Sequence, residues 1–146
     1  MKKIGIASDH AGFELKEIVK KWLADKGNEL KDFGTYSTES ADYADYAHPL
    51  ALSVESKEVD FGISICGSGN GISMTLNKHQ GIRAALCWNK EISSLARSHN
   101  DANICSMPAR FITVDEAKII VETFMSTAFE GGRHKTRIDK IPFKCC

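Results

Sequence analysis

The sequence carries no net charge: its 146 residues include 19 lysines and arginines against 19 aspartates and glutamates. A chain without a basic excess lacks the surface potential that attracts nucleic acid or an anionic membrane. It also has no apolar run approaching the roughly 18 residues of a membrane helix. Its start, Met-Lys-Lys followed at once by a strand pattern, differs from a signal sequence. We therefore expect a cytoplasmic protein without nucleic-acid or membrane partners, in which a local cluster of charges binds any anion.

The cysteines lack the spacing of a disulfide framework or a thiolate zinc site. They are five in number, and no two of them form a C-x-x-C pair. Cys87 and Cys105 lie in apolar stretches and are expected to be small buried hydrophobes. No role is assigned to Cys145 and Cys146 at the end of the chain. Only Cys66 has neighbours, the glycine-rich run 67–71, that suggest a catalytic role.

Strand and helix patterns alternate five times along the chain, without repeats or linkers. Thr113 and Glu116 have the spacing of a capping box that opens the last long helix. Five successive β–α units predict a single α/β domain over residues 1–146, with a doubly wound, five-stranded parallel sheet between two layers of helices. A basic C-terminal segment, about 131–146, is expected to add one short helix. The predicted strands are Lys2–Ser8, Asn28–Phe33, Phe61–Cys66, Ile82–Cys87 and Asn103–Met107.

Ligands of such sheets bind beyond the carboxyl ends of the strands, where Asp9, His10 and the segment 66–71 are expected. The run Gly67-Ser68-Gly69-Asn70-Gly71 lets backbone N–H groups converge at a helix start, which suits a phosphate or an oxyanion. It is not a Walker loop, because no Gly-Lys-Ser/Thr follows. A simple tight turn would show the same glycines. Cys66 ends the strand before this loop, where a helix N-terminus favours the thiolate, a nucleophile or a general base. The alternative is a buried cysteine at a strand end.

Two further groups have both a functional and a structural interpretation. His99, followed by Asn100, is in phase with Ile92 and Leu95, so it is expected to face inward at a helix end. It could equally be a core histidine that caps carbonyls, just as Asp9 could simply cap a helix. Arg133 and Arg137 are four residues apart and share a helix face. This face is a solvated basic surface unless the C-terminal segment closes over the strand ends, where it would bind phosphate.

Together these motifs resemble the ribose-5-phosphate isomerases of type B, a family that also includes the two chains of galactose-6-phosphate isomerase. The likeness covers essentially the whole chain. The matching segments are SDHAG at 8–12, DYADYAHP at 42–49, CGSGNG at 66–71, NK at 77–78, GIRAALC at 81–87, SHNDANIC at 98–105 and the R-x-x-x-R of Arg133 and Arg137.

The resemblance implies a flavodoxin-like or Rossmann-like domain that works as a homodimer or a dimer of dimers. It implies interconversion of ribose 5-phosphate and ribulose 5-phosphate in the pentose phosphate pathway, without a metal or an organic cofactor. By this resemblance Cys66 is the base that moves a proton between C1 and C2, and His99 is the acid that assists ring opening. Other members of the site are implied as substrate-binding residues: Asp9, His10, Tyr43, Gly67, Ser68, Gly69, Asn70, Gly71, Asn100, Arg110, Arg133 and Arg137.

Within that set, Asp9 would orient substrate hydroxyls, the Gly67–Gly71 amides would hold the enediolate, and Ser68 would support them. Phosphate would be bound by His10, Arg133 and Arg137. In relatives His99, Asn100 and Arg110 reach the site from the partner chain.

One branch of the family has glycine at the position of Cys66 and a glutamate base at that of Ile72, so this chain matches the cysteine branch. Many relatives have threonine at Ser68 and proline at Ala44, and neither difference removes a reactive group. Two other functions stay open. The chain could isomerise a six-carbon phosphate such as allose or galactose 6-phosphate, which needs more room near Tyr43 and the glycine loop. It could also be a non-catalytic phosphosugar-binding subunit, although one chain holds the complete set of reactive residues.

Overall fold

A five-stranded, all-parallel sheet forms the centre of the protein in the computed structural model, which describes residues 1–145. The strands are β1 (Lys3–Ser8), β2 (Glu29–Asp32), β3 (Phe61–Cys66), β4 (Ala84–Leu86) and β5 (Ile104–Pro108). The helices are α1 (Phe13–Asp25), α2 (Tyr43–Glu55), α3 (Asn70–Leu76), α4 (Lys90–Ser98), α5 (Val114–Ser126) and α6 (Arg133–Ile138). The predicted α/β class is confirmed. Cys146 lies outside the described residues.

The strand order is β2-β1-β3-β5-β4. β2 is added on one side of β1 and β3 on the other, so the direction in which strands are added to the sheet reverses between β1 and β3. The first three positions follow the flavodoxin order 2-1-3-4-5, and the last two strands are exchanged. β4 at the sheet edge is shorter than the predicted Ile82–Cys87, although the Cys87 N–H still donates to the Ser106 carbonyl at 2.8 Å. The switch between β1 and β3 opens a crevice at their carboxyl ends, which is where a ligand site is expected.

Two apolar cores cover the two faces of the sheet. One is built from α1, α4 and α5 and includes Leu23 and Phe124, while the other is built from α2 and α3 and includes Leu50 and Leu76. Among residues 1–145, no helix is long and apolar enough to cross a membrane. The predicted capping box of α5 forms, because the Thr113 N–H donates to the Glu116 carboxylate at 2.8 Å and the Glu116 N–H donates to the Thr113 hydroxyl at 3.1 Å.

The buried face of α4 differs in part from the predicted one, which held Ile92, Leu95, Ala96 and His99: Ala96 is buried and Ile92 packs on the core, but Leu95 does not. Leu95 is 44% exposed, whereas Ser93 and Ala96 are buried. The small side chains let α4 approach α5 closely, and the Ser93 hydroxyl donates to the Ile120 carbonyl at 2.7 Å. The expectation that His99 faces inward with Leu95 is therefore wrong: His99 lies at the helix end and is partly exposed.

Candidate active site

A cavity of about 370 Å³ opens at the switch point of the sheet. It joins the carboxyl ends of β1 and β3 to the segment that follows β5. Eight of the predicted site residues line it together: Asp9, His10, Tyr43, Cys66, Gly67, Ser68, Gly71 and Arg110. A neighbouring cavity of about 470 Å³, lined by the loop before α2, shares Asp9, His10 and Tyr43 with it. The topology thus collects a thiol, a carboxylate, an imidazole and a guanidinium at one edge of the sheet.

Asp9 and His10 are held by the backbone immediately after β1. Asp9 is buried, and its Oδ1 accepts the Gly12 N–H at 3.1 Å. Gly12 is itself the N-cap residue of α1, so this bond fixes the turn before the helix, and Asp9 does not cap the helix as the alternative from the sequence supposed. The His10 Nδ1 lies 3.1 Å from the Ala41 N and 3.2 Å from the Ala41 carbonyl oxygen. Either hydrogen bond fixes the ring through Nδ1. When Nδ1 accepts from Ala41, Nε2 carries the proton and can donate to a ligand.

Cys66 is the last residue of β3, and its side chain is buried at the cavity wall. Gly69 follows with φ of +76°, a conformation that glycine adopts without strain. This turn sends the chain into α3, whose first amides have no acceptor within the helix. The Ser68 hydroxyl accepts the Asn70 N–H at 3.3 Å. The loop therefore leads from the thiol of Cys66 directly into the first turn of α3, and the convergence of its N–H groups on a ligand stays a prediction.

Two glycines of the loop allow side chains from elsewhere to reach the cavity. A Cβ atom at Gly71 would lie 2.3 Å from the Tyr43 ring, and one at Gly67 would lie 3.2 Å from a guanidinium nitrogen of Arg110. The bare backbone at both positions lets these side chains pack directly against the loop. The sequence signals the need for glycine, but not which side chain comes close.

Arg110 lies in the cavity of its own chain. The Ala109 N–H donates to the Cys66 carbonyl at 2.9 Å, and the Arg110 N–H donates to the Gly67 carbonyl at 3.1 Å. These bonds extend the β3–β5 pairing past the sheet and hold Arg110 beside Gly67. The expectation from relatives that Arg110 reaches the site of the partner chain stays a prediction. Phe111, which the sequence reasoning missed, also lines the cavity and is largely exposed.

Gly69 and Asn70 lie in the loop after β3, whereas the other predicted residues, His99, Asn100, Arg133 and Arg137, lie at the opposite edge of the sheet. α4 leaves the carboxyl end of β4 and returns to the amino end of β5, so His99 and Asn100 are at the amino edge. Asn100 lies there beside Arg83, whose Nε donates to the Asn100 carbonyl at 3.0 Å. α5 makes the same return, and the segment after it packs there because the Glu130 N–H donates to the Ser98 carbonyl at 3.0 Å. Within one chain, the C-terminal segment does not close over the cavity of Cys66.

His99 forms a cluster with this C-terminal segment. Its ring stacks on that of His134 with 4.1 Å between centroids and 14° between planes. Burial, followed by the nearby His99 and Arg133, lowers the pKa of His134 below its ordinary value. Glu130 lies beside both rings and completes the cluster, which could hold a metal ion. Glu130 was not singled out from the sequence. It lies in the loop before α6, and Gly131 and Gly132, which separate it from His134 as far as the helix start, have positive φ, so no helical spacing predicts this contact.

Arg133 and Arg137 project away from this cluster. In α6 they are exposed, whereas His134 and Ile138 are buried against the body of the protein. The expectation that both arginines share one helix face is thus met, and the face points to solvent in the single chain.

The family model described as Ribose/Galactose Isomerase matches residues 4–141. Ribose-5-phosphate isomerase B of Escherichia coli (strain K12) is 44% identical over 141 residues, which cover 97% of this chain and 95% of that protein.

Solved structures agree with these sequence comparisons. The crystal structure of a ribose 5-phosphate isomerase from Thermotoga maritima matches with a TM-score of 0.95 and 56% identity, covering 97% of both chains. Ribose-5-phosphate isomerase B from Mycoplasma genitalium, solved with bound ribulose-5-phosphate, matches with a TM-score of 0.90 and 42% identity, covering 95% of this chain and 93% of that one.

Proposed function

Because the chain belongs to the ribose/galactose isomerase family, we propose that it interconverts ribose 5-phosphate and ribulose 5-phosphate through an enediolate. The reaction is an aldose–ketose isomerisation. The observation that carries it is the cavity in which the Cys66 thiol, the glycine-loop amides, Asp9 and His10 meet. The bound ribulose-5-phosphate of the Mycoplasma genitalium relative supports the choice of substrate.

Cys66 acts as the base in this proposal. Its thiolate takes the proton from C2 of the open-chain aldose, and the resulting negative charge develops on the oxygen at C1. The proton of the C2 hydroxyl then passes to the oxygen at C1, and return of the first proton to C1 gives the ketose. C1 is thus reduced as C2 is oxidised, and no external oxidant is needed. Amides of the Gly67–Gly71 loop stabilise the oxyanion, and a single well-placed donor is worth about 3–4 kcal/mol. Asp9 binds the substrate hydroxyls from the end of β1.

Phosphate binding is divided between the two edges of the sheet. His10 and Arg110 are available in the cavity of the same chain, and forked guanidinium donors suit a phosphate. Arg133 and Arg137 are exposed at the other edge, so they reach a phosphate only in the cavity of a second copy. The same holds for His99 and for Asn100. We therefore include in the proposal a homodimer in which the tail of each chain closes over the partner's cavity, with His99 assisting ring opening.

This shared site predicts complementation between two impaired variants. We expect Cys66→Ala and the double change Arg133→Ala/Arg137→Ala each to lose most activity as homodimers. Each lost phosphate contact costs about ten- to a hundred-fold in kcat/KM. Random co-assembly of the two chains should restore roughly a quarter of wild-type activity, because half of the dimers are mixed and each mixed dimer has one intact site. The measurement is the initial rate of co-expressed, co-purified protein.

The matched control pairs Cys66→Ala with Asp9→Ala. Both residues lie in the same half of the site, so a mixed dimer has no intact site and should stay inactive. Recovery in this control, or its absence in the first mixture, would contradict the shared site.

A five-carbon substrate is favoured over a six-carbon one by the packing of Tyr43 directly on Gly71, which narrows the cavity. We expect kcat/KM for ribose 5-phosphate to exceed that for allose 6-phosphate and galactose 6-phosphate in an isomerase assay on the purified chain. A higher value for either hexose phosphate would make that sugar the substrate. Absence of turnover on all three, with phosphate binding retained, would favour the non-catalytic phosphosugar-binding subunit.

A further inference from the structure

The side chains of His99, Glu130 and His134 converge where the end of α4 meets the C-terminal segment. The His134 Nε2 lies 3.4 Å from the Glu130 Oε2, and the His99 Nε2 lies 3.8 Å from the same oxygen. Within residues 1–145, this is the single group of three histidine, cysteine or acidic side chains whose ligand atoms all lie within 4.8 Å of one another. Two imidazoles and a carboxylate are thus gathered at one point.

These distances match the spacing of ligands around a tetrahedral zinc ion. Bonds of about 2.1 Å to nitrogen and oxygen place neighbouring ligand atoms about 3.4 Å apart. The His134–Glu130 distance already has this value. The His99–Glu130 distance exceeds it by a few tenths of an ångström, and the His99 side chain is 39% exposed, so it can move toward the other two ligands.

His134 provides an independent indication of a missing ligand. Its side chain is 92% buried, and its Nε2 has no hydrogen-bond partner among the described residues, since the Glu130 carboxylate at 3.4 Å is not aligned to form one. Buried polar atoms without a partner are rare in folded proteins, and an ion or a water then commonly occupies the position. Here the unpaired nitrogen points into the cluster of possible metal ligands.

The cluster is open to solvent on its other side, because the Glu130 side chain is 59% exposed. Three protein ligands with a free fourth position are typical of zinc sites that keep a bound water. Arg133 and Arg137 lie on α6 together with His134, and their positive charges repel a cation at the cluster. We therefore expect binding that is reversible and weaker than at a structural zinc site.

We propose that His99, Glu130 and His134 bind a zinc-type divalent cation. The bound cation inhibits the isomerase because it coordinates the Nε2 of His99, which can then no longer act as the acid that assists ring opening. The binding site stands on the geometry of the cluster alone. The inhibition rests on the proposed function, in which His99 assists ring opening. The cation is an inhibitor in this proposal, and the isomerisation needs none.

Binding is tested with Zn²⁺ by calorimetry and with Co²⁺ by absorption spectroscopy, using a Cys145→Ser/Cys146→Ser background that removes the terminal thiols. We expect one ion per chain and a Co²⁺ spectrum of nitrogen and oxygen ligands. Glu130→Gln and His134→Gln should each weaken Zn²⁺ binding at least tenfold. His48→Gln is the matched control, because His48 and His79 form another close pair, at 2.8 Å, and this change should leave binding as it was. A thiolate-to-cobalt band, or equal binding by Glu130→Gln, His134→Gln and their parent, would overturn the site.

Inhibition is tested on ribose 5-phosphate, with each variant compared with its own metal-free rate. We expect Zn²⁺ to reduce the rate, a chelator to restore it, and Glu130→Gln to need at least tenfold more Zn²⁺ for the same effect. If Zn²⁺ binds at the cluster and the rate does not change, the inhibitory part is wrong and the site remains. If the metal-free protein has no isomerase activity, the proposed function fails, while the binding results still decide the site.

Discussion

Replacing Cys66 by alanine should abolish turnover while the fold and the binding of sugar phosphate are retained. The change removes the proposed base, and positioned general acid–base groups contribute typically 10²–10⁴-fold to rate. It leaves Asp9, His10 and Arg110 in place around the cavity. The lost sulfur leaves a small void beside the core, which costs about 1 kcal/mol of unfolding free energy. The measurements are kcat from initial rates, the Kd of a sugar phosphate and the thermal unfolding midpoint.

Cys105→Ala is the matched control for this prediction. Cys105 is also buried, but it lies in the core on the α1, α4 and α5 side of the sheet rather than at the cavity. We expect it to lose a similar amount of stability and to keep its kcat. Retention of more than a tenth of kcat by Cys66→Ala would show that another group or water moves the proton.

Asp32→Asn should destabilise the protein by up to about 3–5 kcal/mol, because it breaks the ion pair of a fully buried lysine. Glu17, 3.1 Å from the same lysine, then remains its one charged partner among the described residues. The lysine is Lys16, whose side chain is fully buried and whose Nζ lies 2.7 and 2.6 Å from the two carboxylate oxygens of Asp32. Lys20 donates to the same carboxylate at 2.6 Å. Domains of this size are stable by about 5–15 kcal/mol, so the loss is a large share of the total. Urea unfolding measures it.

The control is the same substitution in an exposed pair. Lys21 and Asp25 are 2.7 Å apart on the surface of α1, with side chains that are 76% and 63% exposed. Exposed pairs contribute at most about 1 kcal/mol, so Asp25→Asn should change the unfolding free energy little. Equal losses at the two positions would mean that the Lys16–Asp32 pair contributes no more than a surface pair.

The same network sets the response of stability to acid. Burial of Asp32 raises its pKa, but hydrogen bonds from Lys16, Lys20 and the Gly34 N–H outweigh this and leave the pKa lowered. A carboxyl whose folded pKa is lowered stabilises the fold above its ordinary value, near 4, and loses this contribution as the pH falls through the folded pKa. We expect the unfolding free energy to fall below about pH 4 in the parent. In Asp32→Asn it should fall less steeply.

The sequence alone determined those features that depend on residues close together in the chain. The five strand–helix units follow from the period of apolar residues, and the capping box of α5 follows from Thr113 and Glu116. The run from Cys66 to Gly71 marks a strand end, a tight turn and a helix start within six residues. The motif blocks also identified the family, because they occur in the same order over the whole chain.

The tertiary structure alone decided how these elements meet. Strand order depends on pairing between distant segments, and no local pattern distinguishes β2-β1-β3-β5-β4 from the flavodoxin order. The close approach of α4 to α5 buried Ser93 and left Leu95 exposed, whereas the burial of Ala96 follows from the sequence pattern. Lys16 is typical of a solvent-facing helix position, and only the nearness of Asp32 makes its burial tolerable.

The same reason explains the division of the site. Asp9, Cys66 and Arg110 are far apart in sequence but follow strands β1, β3 and β5, so parallel pairing brings their ends to one edge. His99 and Arg137 follow helices that run back to the amino edge, so the direction of the chain, rather than residue type, separates them from Cys66. Local periodicity predicts which face of an element is buried, but the packing of whole elements decides which side chains share a cavity.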